Sequence, residues 1–316
     1  MTQFPPPGAP RARIPSPQQP PPSYPRIRPG LWRRCLWSGL ALWASTALAV
    51  QVSGSTALLP TLVLLGSFLV PVTFVLWACE RHGRDLGVNV ILGCFLTGGT
   101  LGILGAALTK DLLLYPSPRM FAVLGLAEEA MKLGALLFVL RRQTRIRGLR
   151  AGLVLGAAVG LGFAAMEGVG YAFHAAAGTP GLDLGELLET EILRGVPASV
   201  GQGLWTAIAG GVLLACRHPN GRFRLTGTVA ATYLGVALLH TLAESTHGIA
   251  VWLVVRLTGG EPGRRLFTEG YIAHPTEAQQ HLFALLSVGG LIVVALLGLA
   301  WASTLTRRDP SWRSTP

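Results

Sequence analysis

Charge is scarce in this sequence. Of its 316 residues only 13% are Asp, Glu, Lys or Arg, against roughly a quarter in an ordinary soluble domain. Half of the residues are hydrophobic, a balance that excludes a soluble globular protein and points to helices packed in lipid. Cysteine is scarcer still. Cys35, Cys79, Cys94 and Cys216 fall inside apolar runs or at their edges without paired spacing, which excludes a disulfide scaffold and a cysteine metal cluster. No Ser or Cys stands at catalytic spacing from a base, so a covalent hydrolase is set aside. The net charge of +11 would suit a nucleic-acid binder, but in so apolar a chain it has to be explained by topology, and no nucleic-acid partner is expected.

What is present is a series of long apolar runs. A spanning helix needs about 20 apolar residues, and eight segments qualify: 32–51, 57–79, 88–108, 120–140, 151–173, 196–216, 226–247 and 282–303. The fold class is therefore all-α, a polytopic membrane helix bundle of about eight transmembrane helices. The ten apolar residues 248–257 are too few for a ninth span and read as an interfacial or re-entrant extension. Residues 1–30 hold eleven of the 22 prolines and no acidic residue, the composition of a disordered basic tail. With that tail inside, 19 of the 26 basic residues lie on the cytoplasmic side, and the opposite loops hold most of the acids. This is the positive-inside bias, with both termini cytoplasmic. The organisation expected is a tail (1–30), N-terminal spans (31–119), core helices (120–257), an external loop with the last span (258–303) and a C-terminal tail (304–316).

Seven ionisable residues remain within or near the spans: Glu128, Glu129, Lys132, Glu167, His240, Glu244 and His247. Each costs about 2.5–3.5 kcal/mol near the bilayer centre on insertion scales, so function is the default reading. Glu128 and Lys132 are four apart and Glu129 is three from Lys132; one carboxylate can be neutralised by the ammonium while the other is left to work. In the next span Gly156, Gly160, Phe163, Glu167 and Tyr171 share one helical face, so the glycines admit a neighbouring backbone where Glu167 points inward. His240, Glu244 and His247 share a face at i, i+4 and i+7, a spacing that serves either a metal-ligand pair or a base and its orienter; His247, near the rim, reads as solvated. Counted at 1.5 Å per residue from the outer ends, Glu128 and Glu129 lie about 12–14 Å deep, and Glu167, Gln202 and His240 about 9–11 Å. Three or four helices thus place polar groups at similar depth in the outer half, as one convergent site requires.

The ordered set Glu128-Glu129-x-x-Lys132, Phe163-x-x-x-Glu167-x-x-x-Tyr171, Arg194 with Gly201-Gln202-Gly203-Leu204-Trp205-Thr206, and His240-x-x-x-Glu244 resembles the PrsW family of intramembrane proteases, related to the CAAX-protease and bacteriocin-processing group. The resemblance covers roughly residues 120–250. It implies a glutamate-dependent endopeptidase in a bacterial plasma membrane that cuts a single-span protein, such as an anti-sigma factor, near the outer face. Two positions depart: Gln202 stands where the family usually has His, and Glu244 where it usually has Asp or Asn. Gln neither accepts a proton at neutral pH nor ligates metals well, so an element of the catalytic set is missing if that His is a base or a ligand.

On this reading Glu128 or Glu129 is the base, with Lys132 as counter-charge. Glu167 and His240 bind or polarise the water, and Gln202, Tyr171 and Phe163 position the substrate. Glu167, His240 and Glu244 offer a mixed nitrogen and oxygen set for a divalent metal such as zinc, although there is no H-E-x-x-H run. The other partners expected are membrane lipids. Two alternatives stand beside the peptidase: a catalytically inactive relative that binds membrane proteins, and a proton-coupled transporter, against which the absence of an internal repeat counts.

Overall fold

The computed structural model describes residues 28–112, 118–177, 188, 199–259, 272 and 274–309. The tail over 1–27, Arg194, the side chain of Tyr171 and most of the 260–273 loop lie outside the described residues. Within them there are eight α-helices, one 3-10 turn and no strand: α1 (Leu31–Ser53), α2 (Leu59–Leu86), α3 (Val88–Leu112), α4 (Pro118–Leu140), α5 (Leu149–Ala177), α6 (Ser199–Ala215), α7 (Gly227–Leu257) and α8 (Glu277–Arg308). These correspond to the eight apolar segments read from sequence; seven extend beyond them at one end or both, and α6 is described over 199–215.

Helix ends follow local chemistry. Gly54 closes α1 in the left-handed conformation (φ 65°), returning its N–H to Val50, a geometry that costs a residue with Cβ far more. Thr226 accepts from the Val229 N–H at the start of α7, and Thr276 and Gln279 form a reciprocal capping box on α8. Helix α7 runs unbroken for 31 residues, about 46 Å. The 248–257 stretch, expected as an interfacial or re-entrant extension, is therefore the continuation of one rod. A single interior glycine at 248 costs only about 1 kcal/mol, too little to break it.

Among the described residues, five helical segments are long and apolar enough to cross a membrane: Leu31–Ser53, Thr56–Leu86, Leu149–Gly170, Gly227–Leu257 and Glu277–Arg308. Helices α3 and α6 contribute shorter apolar stretches. Helix α4 fails on composition because Glu128, Glu129 and Lys132 interrupt it. The architecture is that of a polytopic helical membrane protein.

Helix α5 is the hub, and glycine makes it so. A Cβ at Gly152, Gly156 or Gly160 would strike the backbone carbonyl oxygens of Gly210, Thr206 and Gln202 on α6. The backbone approach expected from the Gly-x-x-x-Gly spacing is thus made to α6, as small residues allow between helices in lipid. On another face a Cβ at Gly162 would strike the carbonyl oxygen of Phe95 on α3. Helix α4 lies against α7, where Gly125 faces Ala237 and Thr241 and the Tyr233 hydroxyl donates to the Leu126 carbonyl at 2.7 Å. The largest apolar core joins α2 to α6 through residues such as Ile91, Cys94, Leu136, Leu155 and Leu214, and a smaller one joins α6, α7 and α8 around Trp205, Ile208, Val236 and Val294. All four cysteines are free thiols.

One end of the bundle is tied by a buried arginine. Arg217, 5% exposed, donates through Nε to Gly221 O (2.8 Å), through Nη1 to Gln143 O (2.9 Å) and Ile146 O (2.7 Å), and through Nη2 to Leu140 O (3.0 Å). Its guanidinium also lies 4.1 Å from the ring centroid of Phe223. The clasp joins the α4–α5 loop to the α6–α7 loop, and the cation sits at the C-terminal carbonyls of α4, where the helix dipole favours positive charge.

Candidate active site

Four helices bring the intramembrane polar residues to one point. Glu128, Glu129 and Lys132 come from α4, Glu167 from α5, Gln202 from α6 and His240 from α7, and none is more than 4% exposed. Their common depth, counted from sequence, corresponds to a real convergence. Charges this far from water are tolerable only when each is paired and hydrogen-bonded.

The centre of the network is Glu129. Its Oε1 accepts from Lys132 Nζ at 2.7 Å and lies 3.0 Å from His240 Nδ1. Its Oε2 accepts from the Thr206 hydroxyl at 3.4 Å. Lys132 also donates to the Gln202 amide oxygen, and Gln202 Nε2 donates to Glu167 Oε2 at 3.2 Å. Gln202 therefore joins a cation to an anion through the acceptor and donor ends of one amide. Phe163 lies beneath the ammonium, its ring centroid 4.1 Å from Lys132 Nζ, and is fully buried. Of the residues expected to position substrate, Phe163 and Gln202 are thus spoken for by Lys132, while Gln202 keeps one N–H beyond the one given to Glu167.

Glu128 is placed differently. Its Oε2 stands 3.4 Å from His240 Nε2 and 3.9 Å from Lys132 Nζ. Glu128 Oε2 and His240 Nε2 are both buried, and neither has a hydrogen-bond partner among the described residues. If the His240 proton sits on Nδ1, where the Glu129 carboxylate accepts it, Nε2 turns a lone pair toward the Glu128 oxygen. That edge calls for a proton shared between the two atoms, or a small polar molecule seated beside them within reach of both.

The metal set expected from sequence, Glu167 with His240 and Glu244, is not gathered. Glu167 is bonded to Gln202, His240 turns both ring nitrogens to α4, and Glu244 lies half-buried one turn further along α7. Among the described residues no group of three or more His, Cys, Asp or Glu side chains is placed to hold a metal ion. The unpartnered atoms of Glu128 and His240 supply one oxygen and one nitrogen, short of the three protein ligands usual for a catalytic zinc, so the residues present do not fit such a site. His247 is exposed and sets its ring edge-on to Phe283 of α8, with centroids 5.0 Å apart.

Two further residues border the network, and both belong to the Trp-Thr pair that follows Gln202. Thr206 reaches Glu129, and the Trp205 ring stacks on His240 with centroids 5.0 Å apart and planes at 28°. Neither is ionisable, so neither stands out as a charge within an apolar run. Their positions, three and four residues after Gln202 on one helical face, were the available signal.

A family model described as PrsW family intramembrane metalloprotease matches residues 87–261, more than half of the chain. The matched segment opens at the glycine between α2 and α3 and takes in every residue of the network. No curated protein and no solved structure matches the chain.

Proposed function

The chain belongs to the PrsW family, and from that premise we propose that it is an intramembrane endopeptidase which hydrolyses a single-span, membrane-anchored protein such as an anti-sigma factor. The site would lie in the outer half of a bacterial plasma membrane. The arginine-rich loops, which favour a cytoplasmic placement of both termini, and the depths counted from the outer span ends support that location.

The observation that carries the reading is the buried, unpartnered edge between Glu128 Oε2 and His240 Nε2, 3.4 Å apart. Hydrolysis needs a water, a base to activate it and a proton to return to the leaving amine. Glu128 is the base on this reading: it takes a proton from water as the water oxygen attacks the scissile carbonyl carbon, and that proton then passes to the departing nitrogen. His240 helps to hold the same water through Nε2, beside the Glu128 oxygen. Glu129 is the orienter, since both of its oxygens are already engaged by Lys132, His240 and Thr206. Lys132 offsets one of the two negative charges, and the spare N–H of Gln202 is available to the substrate carbonyl. The family description names a metalloprotease; with two candidate ligands rather than three, no step is routed through a metal.

The test is cleavage of co-expressed single-span substrates, followed by the same assay in proteoliposomes. Glu128→Gln is expected to lower turnover by at least about 100-fold, the usual worth of a positioned base. Cleavage that survives Glu128→Gln would overturn the mechanism. A parent protein that binds such substrates but cuts none, with or without added zinc, would instead mark an inactive relative.

A further inference from the structure

Helix α6 has no ionisable residue between Ser199 and Ala215, yet it engages four of the five ionisable members of the network. Gln202 bonds Lys132 and Glu167, Thr206 bonds Glu129, and Trp205 covers His240. Glu128 alone receives nothing from α6 among the described residues. Glu129 and His240, which share a hydrogen bond, are each gripped by one of two adjacent α6 residues.

Each grip removes a rotation that the hydrogen-bonded pair would otherwise keep. The terminal torsions of Glu and His are broad and roughly two-fold rather than held in narrow wells. Glu129 Oε1 is shared by Lys132 and His240, but that leaves the carboxylate free to swing about this oxygen. Thr206, fully buried, holds the second oxygen at 3.4 Å with the hydroxyl proton it shares with the Gln202 carbonyl one turn back, 3.0 Å away. The imidazole, held at Nδ1 alone, could still tilt out of plane. The Trp205 indole, 5% exposed and packed between α6, α7 and α8, lies against its face. We propose that Trp205 and Thr206 are positioning residues for the Glu129–His240 pair, together setting the direction in which His240 Nε2 meets Glu128.

The kinetic consequence rests on the endopeptidase reading; the placement of the imidazole does not. Full-length protein in proteoliposomes carrying Thr206→Val or Trp205→Leu is expected to lose about tenfold in kcat, with KM within about twofold of the parent, because misplacement acts on the reacting geometry rather than on binding. Thr206→Ser and Trp205→Phe, which keep the hydroxyl and the stacked ring, are expected to stay within about threefold. In protein labelled with 15N-histidine and held at one pH, the His240 ring resonances should move in Thr206→Val and Trp205→Leu and coincide with the parent in the two conservative variants. Unchanged kcat in both disruptive variants overturns the proposal, as do His240 resonances that stay at the parent positions. If the parent cleaves nothing, the endopeptidase reading fails on its own and the resonances decide the positioning role.

Discussion

At the scale of single residues, the site turns on Gln202. Its amide accepts from Lys132 and donates to Glu167, two groups that would otherwise be buried with fewer partners. Gln202→Leu keeps most of the volume and removes both bonds. It is expected to destabilise the protein by roughly 2–5 kcal/mol, the range for leaving buried charged groups short of partners, read as a lower melting temperature in detergent; a melting temperature equal to the parent would show that the bridge carries no stability. The members of the network that titrate were legible in the sequence, because a Glu, Lys or His inside an apolar run has few structural excuses. The division of labour between Glu128 and Glu129 was not. Adjacent residues on one helix differ by about 100° in direction, and only the packed structure shows Glu129 facing His240 Nδ1, Lys132 and Thr206 while Glu128 Oε2 is left unpartnered. The metal trio failed for a related reason: i, i+4 spacing puts His240 and Glu244 on one face, but the ring nitrogens of His240 are drawn to α4.

At the scale of elements, the glycine seam between α5 and α6 decides whether the site assembles. Gly160 meets the backbone of Gln202 itself, so a methyl group there would push against main chain that has nowhere to go. Gly160→Ala is expected to cost roughly 1–3 kcal/mol by overpacking and to move Gln202, Trp205 and Thr206 together, with cleavage falling further than stability alone would predict. Gly134, on the exposed face of α4, is the matched control, because a Cβ added there would meet nothing within 4 Å. Gly134→Ala should be neutral or stabilising by up to about 1 kcal/mol. Equal behaviour of the two alanine variants would contradict the seam. The spacing Gly152, Gly156, Gly160 announced such a seam, but not which helix would fill it. The length of α7 was hidden too, since a run of ten apolar residues after a plausible span looks the same whether it bends back or runs on.

At the scale of the whole molecule, eight spanning helices would place both ends of the chain on one side, and the arginine-rich loops favour the cytoplasmic one. Alkaline phosphatase fused after residue 316 is expected to be inactive in bacterial cells, and the same reporter inserted after residue 270 to be active; the reverse pattern would invert the bundle and move the site to the inner half. Arg217 matters at this scale because it binds the α4–α5 loop through main-chain oxygens alone, those of Leu140, Gln143 and Ile146. A carbonyl is common to all twenty amino acids. The clasp itself therefore constrains the loop's path and length rather than its side chains, and a single insertion or deletion between α4 and α5 would unfasten the two loops.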